Sequence, residues 1–287
     1  LKPGRGDVVL PKIFAEGLRS ADPELAESVA VAYWVQSRGL TQVALDEADL
    51  VLVYGGDDTV GQVRSNLPTP TPLLAFRHRI GVGYVGAGDI DDGVGLELAS
   101  AARAVALFDQ RGCVSPHVFL VDRRGAVAPE AWARGLAAAL EALEGDLPSG
   151  PLTPEESAAL YQVRGAGEVE AGAGGGEIYH GGPDAPWSVL YQPESAVEPS
   201  CLGRTVRVVP VDGPAEVMDL LLPWATYLQT VGVARLGDEE ADVLEGLARL
   251  GVSRITELKR VPWPPPWWHQ DGMSPLRSMV RWTVSEG

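Results

Sequence analysis

The run Phe108-Asp109-Gln110-Arg111-Gly112-Cys113-Val114-Ser115-Pro116-His117-Val118-Phe119-Leu120-Val121-Asp122 decides how this chain is read. An Ala-rich helical pattern over residues 91–108 breaks at Gly112, one Cys follows, and residues 118–121 have the unbroken apolar character of a buried strand. A thiol at such a helix-to-strand corner can attack a carbonyl carbon while neighbouring backbone N–H groups face the carbonyl oxygen. A small buried core cysteine is the competing reading of the same pattern.

Composition narrows the classes of function. With 287 residues, 45% hydrophobic and 22% charged, the chain has the make-up of a globular protein that can bury a large core in one large or two ordinary domains. A formal net charge of −16 leaves no basic face for a phosphate backbone or an anionic leaflet, so nucleic acid and membrane are poor partners. Two cysteines, Cys113 and Cys201, do not make a disulfide framework and fit a reducing, cytoplasmic setting. His78, His117, His180 and His269 are scattered, without metal-ligand spacing, and no apolar run reaches the roughly 20 residues of a membrane span. The opening Leu1-Lys-Pro-Gly-Arg-Gly-Asp7 reads as the end of a strand plus a turn, as though the sequence begins inside a domain.

Strand and helix patterns alternate along the chain. Helical spacing over 8–19 stops at Asp22-Pro23, residues 29–34 read as a strand, 40–47 as a short helix and 49–54 as a second buried strand. Gly55-Gly56-Asp57-Asp58-Thr59-Val60-Gly61 follows directly and opens a helix over 59–65, a placement that suits a pyrophosphate above a helix N-terminus. A tight turn with Asp N-caps is the plainer reading, and a carboxylate there repels a phosphate. After the rigid Pro68–Pro72 connection, 73–79 runs into a Gly-interleaved strand at 82–85, which marks a domain switch near residue 80. His78 stands between Arg77 and Arg79, whose charge favours a neutral imidazole able to accept a proton; an exposed basic turn is the alternative.

Beyond the Cys, helices are expected at 129–143 and 154–163. The Gly-rich turn 171–176 leads into short strands at 177–180 and 187–191, a hairpin that either contacts another subunit or folds onto its own domain. Strands at 205–211, 228–234 and 253–258 alternate with helices at 214–222 and 239–250. The fold class is therefore α/β, with two adjacent doubly wound units. The tail 261–272 holds Trp263, Trp267 and Trp268 extended among prolines, as a pocket wall or as a strap over the core.

These blocks resemble the aldehyde dehydrogenase superfamily and, within it, the LuxC-like long-chain acyl-CoA reductases of bioluminescence and related fatty-aldehyde pathways. Asp109-Gln-Arg-Gly-Cys113-Val-Ser-Pro116 is similar to the superfamily's Gly-Gln-x-Cys nucleophile segment. The resemblance implies residues 1–80 as the C-terminal half of a nucleotide-binding domain and 81–287 as the catalytic domain, with an oligomerisation hairpin at about 176–192 and assembly into a homo-oligomer. It implies Cys113 as nucleophile, with His78, in a segment similar to the family's Gly-His-Arg, activating the thiol. Lys2, in Leu1-Lys2-Pro3, corresponds to the lysine on the cofactor's adenosine ribose; Gly55, Gly56, Asp57 and Thr59 lie at the nicotinamide loop, and Glu198 is the nearest equivalent of the ribose-binding Glu. Gln110, Trp267, Trp268 and His269 fall along the substrate tunnel.

Where hydrolytic relatives carry a water-activating Glu, this chain reads Leu74-Ala-Phe-Arg-His-Arg79, so an acyl-Cys would survive to meet a hydride. The expected reaction is NADPH-dependent reduction of a fatty acyl-CoA, or another acyl thioester, to the aldehyde, with an acyl-protein synthetase or acyltransferase as a possible donor of the acyl group. Aldehyde oxidation in the same fold and a non-catalytic binding relative remain the alternatives.

Overall fold

Asp22 ends one helix and begins the next. Its backbone N–H closes α1 (Val9–Ala21) on the Leu18 carbonyl at 2.7 Å, and its carboxylate accepts from Leu25 N at 2.9 Å as the N-cap of α2 (Pro23–Ala26). Ser37 caps α3 (Arg38–Asp46) in the same way, and a strand–helix–strand unit follows: β1 (Val51–Tyr54), α4 (Asp57–Asn66) and β2 (Leu73–Phe76), with β1 and β2 parallel. Tyr54 stacks on Phe76 with ring centroids 4.6 Å apart, and Val60 is buried beneath α4.

The computed structural model describes all residues except 5–7, 36, 90–92, 183–184, 195–196 and 287. Part of the opening turn, the start of the helix expected at 91 and the tip of the 181–184 turn lie outside the described residues. Two compact units divide the chain, Leu1–Arg77 and His78–Gly287.

The strand expected at 29–34 is not formed. Leu1 N donates to Ala30 O at 2.6 Å and Ala32 N donates to Leu1 O at 3.0 Å, so the segment is extended and bonded to Leu1 without being part of a ladder among the described residues. The first unit carries one parallel strand pair, β1 with β2, among its described residues.

In the second unit, β3 (Ile80–Val85) leads through α5 (Val94–Ala106) to β4 (Pro116–Asp122); every residue of both strands is buried, as in a parallel sheet covered on two faces. Then come α6 (Pro129–Leu143), α7 (Pro154–Gly172), β5 (Glu177–Tyr179), β6 (Ser188–Tyr191), β7 (Thr205–Val211), α8 (Pro214–Leu221), β8 (Leu228–Ala234), α9 (Glu240–Arg249), β9 (Arg254–Glu257) and α10 (Pro275–Ser278). The sheet order among the described residues is β5-β6-β7-β4-β3-β8-β9, parallel except for β5. Helix α7 runs well past the expected residue 163, on the reciprocal Thr153–Glu156 capping box at its start. The 177–191 hairpin does form, and β6 joins β7 in the main sheet, so the hairpin folds onto its own unit.

Strand alternation sends Phe119, Val121, Val206 and Val208 into a core with α5 and α6, and Val118, Leu120, Val209 and Val211 into a second core with α8 and α9. In the first core, Phe119 meets Trp132 at 5.0 Å between ring centroids and covers Gly83, its register partner across the strands. A Cβ on Gly83 would lie 2.0 Å from the Phe119 ring. Gly83→Ala should therefore cost about 1–3 kcal/mol of stability through overpacking, seen as a lower urea midpoint at unchanged slope; an unchanged midpoint would show that the ring can move aside.

Candidate active site

Three consecutive non-glycine residues bring the chain from α5 to Cys113 in left-handed conformation: Phe108 (φ 61), Asp109 (φ 49) and Gln110 (φ 63). Each costs about 1–2 kcal/mol unless its surroundings impose it. Here they do. Asp109 Oδ1 accepts from Arg204 Nε at 2.9 Å and lies 2.7 Å from Arg204 Nη2, while Oδ2 accepts from Gly150 N at 2.9 Å. The Arg204 side chain, almost wholly buried, also reaches Glu144 and the Leu147 carbonyl. Gln110 is completely buried; its amide donates to Pro116 O at 2.9 Å and Thr205 O at 2.8 Å, and its oxygen accepts from Ser200 Oγ at 3.1 Å. The expectation that Gln110 lines a substrate tunnel is corrected on that ground: every polar group of the side chain is spent inside the protein on fixing the turn.

The turn beyond it closes with Ser115 N donating to Gly112 O at 2.9 Å and docks on β3 through Gly81 N to Ser115 O at 3.1 Å. A Cβ on Gly81 would sit 2.3 Å from Val114 O, so only glycine lets the Cys113 turn come this close. Cys113 is half-buried, and burial pushes its thiol above the ordinary value. A hydrogen bond from the Gln229 side chain opposes that rise, the Asp271 carboxylate adds to it, and the backbone N–H groups of Cys113 and Val114 favour the thiolate.

Gln229, fully buried at the start of β8, donates through Nε2 to Asp271 Oδ1 at 2.6 Å. Asp271 is itself left-handed (φ 52) and its side chain is 2% exposed, with Oδ2 3.4 Å from Arg79 Nε. Arg79 also donates to Thr226 O. Sequence reasoning missed Gln229, Asp271 and Arg79. The one signal was a glutamine at the start of an otherwise apolar, glycine-containing strand; Arg79 and Asp271 gave none, because residues so far apart in sequence reveal no pairing.

The remaining expected residues are dispersed. His78 is exposed and is not among the groups that most influence the thiol. Trp267 is 80% exposed, His269 is exposed, and half-buried Trp268 lies under the Arg254 guanidinium at 5.7 Å. Glu198 is paired with Arg207 at 3.0 Å, so its carboxylate already has a cationic partner. In the first unit, Lys2 Nζ stands 5.3 Å over the Trp34 ring. Gly55 is pressed against Thr59, 2.9 Å from where its Cβ would be, and Gly56 begins α4 with no side chain capping the first-turn N–H groups. Asp57 is drawn to Arg77 at 3.5 Å. The first turn of α4 thus carries two carboxylates, Asp57 and Asp58, of which Asp57 faces a guanidinium.

The family model for acyl-CoA reductase (LuxC) matches residues 1–282. The chain belongs to the LuxC family. It is 25% identical over 275 residues to a long-chain acyl-protein thioester reductase of Aliivibrio fischeri and 23% identical over 269 residues to long-chain acyl-protein thioester reductase 2 of Photobacterium leiognathi. Each match covers 93% of this LuxC chain and 53% of the relative, so the chain spans about half the length of the curated relatives it matches. Its fold is that of part of an aldehyde dehydrogenase: a Burkholderia multivorans NAD-dependent aldehyde dehydrogenase superposes with a TM-score of 0.62 at 18% identity, over 90% of this chain and 50% of that one. No helix among the described residues is long and apolar enough to cross a membrane.

His117, on β4 beside the LuxC cysteine turn, accepts from Ser200 N at 3.0 Å through Nδ1, and burial pushes its pKa down from 6.5 to about 4. The native state excludes a proton that the unfolded chain takes up below pH 6.5. Stability therefore falls as pH drops through this window, by about 3 kcal/mol in total, and levels off below the folded value. The difference in unfolding free energy between parent and His117→Gln should shrink by this amount from pH 7 to pH 4. A pH-independent difference would mean the imidazole titrates normally.

Proposed function

We propose that this chain carries the nucleophile of a reductase that converts a long-chain acyl thioester to the fatty aldehyde through an acyl group on Cys113. The observation that carries the reading is the Cys113 turn itself: a half-buried thiol at the helix-to-strand corner, held by a locked left-handed run and docked on β3 where only glycine fits, at Gly81. Thiolate character is what makes a cysteine a nucleophile; burial raises this thiol, and the Gln229 side chain and the backbone N–H groups of Cys113 and Val114 act against that rise.

In the proposed reaction the Cys113 sulfur attacks the acyl carbonyl carbon, the bond to the donor thiol breaks, and that thiol leaves with the proton. A bound nicotinamide dinucleotide, NADPH in our reading, supplies the hydride. Addition of the hydride to the acyl-Cys carbonyl carbon would give the thiohemiacetal oxyanion; as its C=O bond re-forms the carbon–sulfur bond breaks, releasing aldehyde and returning the electron pair to Cys113 as thiolate. Lys2, the first turn of α4 from Gly56 and the Thr59 side chain would hold the dinucleotide. His78, beside Arg79 in sequence, is our candidate for taking the thiol proton. The names of the relatives favour an acyl-protein thioester as donor, with acyl-CoA the simpler substitute. The 74–79 segment carries no carboxylate, and Asp271 is buried against Gln229 and Arg79, away from the role of activating water.

Intact-protein mass spectrometry after mixing the chain with tetradecanoyl-CoA should detect one tetradecanoyl adduct on the parent and none on Cys113→Ala. Adding NADPH should discharge the adduct as tetradecanal. No adduct on the folded parent overturns the reading.

A further inference from the structure

Two short runs of left-handed backbone meet beside Cys113. Phe108, Asp109 and Gln110 (φ 61, 49 and 63) lead to the cysteine, and Leu202, Gly203 and Arg204 (φ 71, 61 and 53) lead into β7. Two contacts between partners 95 and 90 residues apart tie the runs together: the ion pair of Asp109 with Arg204 at 2.7 Å, and a hydrogen bond from Ser200 Oγ to Gln110 Oε1 at 3.1 Å. Ser200 also gathers its own loop. Leu202 N donates to Ser200 Oγ at 2.9 Å, the hydroxyl reaches Thr205 O, and Ser200 N donates to His117 Nδ1 at 3.0 Å. From Gln110 the contacts pass to the thiol's own segment: Nε2 donates to Pro116 O at 2.9 Å, which closes residues 110–116 with Cys113 at the midpoint. Gln110 is completely buried, and among the described residues Ser200 Oγ is the one hydrogen-bond partner of its Oε1. A buried amide oxygen needs such a partner, so the backbone at Gln110 depends on that hydroxyl.

We propose that Ser200 is a positioning residue for the nucleophile: its hydroxyl, through the Gln110 amide, fixes the place of the Cys113 turn. Two carbonyls, Pro116 O and Thr205 O, hold the nitrogen end of that amide and Ser200 holds the oxygen end, so the side chain is pinned at both ends. Left-handed backbone at a non-glycine residue persists only where its surroundings over-determine it. The ion pair with Arg204 fixes the middle of the run, at Asp109; Ser200 fixes its last residue, the one nearest the thiol. Attack on an acyl carbon needs the sulfur aligned at about 3–3.5 Å, so a small displacement of the turn slows transfer without loosening the hold on the acyl chain. The role assigned to Ser200 rests on Cys113 as the acyl acceptor, but the order of the turn can be read without any acyl transfer.

The test is single-turnover acylation of the full chain over a series of tetradecanoyl-CoA concentrations, read by mass spectrometry, so that the limiting rate and the half-saturating concentration are obtained separately. Ser200→Ala should lower the limiting rate by about tenfold and leave the half-saturating concentration unchanged. Ser200→Thr keeps the hydroxyl and should restore the rate. In a Gln110→Met background Ser200→Ala should have no further effect, because the hydroxyl acts through that amide. An unchanged rate in Ser200→Ala, or the same tenfold loss with Gln110 already replaced, overturns the proposal. Amide hydrogen exchange on the same proteins needs no acyl group: residues 108–116 should exchange about tenfold faster in Ser200→Ala, with α8 and α9 unchanged. If Ser200→Ala fails to fold by circular dichroism, Gln110→Met, which empties the other end of the same bond, is read in its place with the same expectations. An acyl adduct on the parent with neither rate nor exchange altered in the variant sinks this inference only; faster exchange at 108–116 with no adduct on the parent sinks the reductase reading and leaves the Ser200 contact as what orders the turn.

Discussion

The buried pairing of Asp109 with Arg204 is the interaction on which the candidate site depends. Three left-handed residues in a row are not a conformation an unassisted L-peptide keeps. Together with the fully bonded Gln110 amide, the pair imposes it. Arg204 is left-handed as well and ties Glu144 and Leu147 to the same point, so the end of α6, the entry to β7 and the approach to Cys113 are fixed by one guanidinium. Removing one partner of such a pair leaves a buried charge uncompensated, which costs far more than the pair contributes.

Ligands in open parallel sheets usually gather at the carboxyl ends of the strands. In this unit the carboxyl ends of β3 and β4 are closed by structure instead. Tyr84 reaches Asp122 at 3.4 Å, and Arg124 bridges Asp122 to Glu239; the Tyr84 hydroxyl, desolvated beside that carboxylate, is held in its neutral form. Cys113, Gln229 and Arg79 stand at the opposite ends, where β4, β8 and β3 begin. The thiol precedes its strand because the helix before it must finish in the left-handed run, and that run delivers the sulfur ahead of Pro116.

The periodic parts of this arrangement were legible in the sequence: the alternating helices and strands from residue 80 onward, the helix-to-strand corner at Cys113, and the family resemblance. Each rests on a local signal of apolar spacing or turn chemistry. What was not legible is pairing across distance. The stretch at 29–34 has strand propensity and is extended, but strand formation depends on a partner, which propensity does not reveal. Gln110 sits beside the cysteine in sequence, which made a substrate contact plausible; that its amide reaches Thr205 and Ser200 is a fact of the fold. The Trp-rich tail drew attention through its aromatic residues, whereas the residue that turns inward from it is the small, acidic Asp271.

The site is biased by charge. Burial and the Asp271 carboxylate disfavour a negative sulfur, while the Gln229 amide and the backbone N–H groups favour it. In the proposed reaction the sulfur is neutral as thiol, acyl thioester and thiohemiacetal, and negative only as the attacking and departing thiolate. A site that penalises the thiolate therefore stabilises the acyl-cysteine relative to it, which suits an intermediate that must wait for a hydride. Groups that favour the thiolate matter most in the two steps where the charge is present, attack and release, and least while the acyl group is stored.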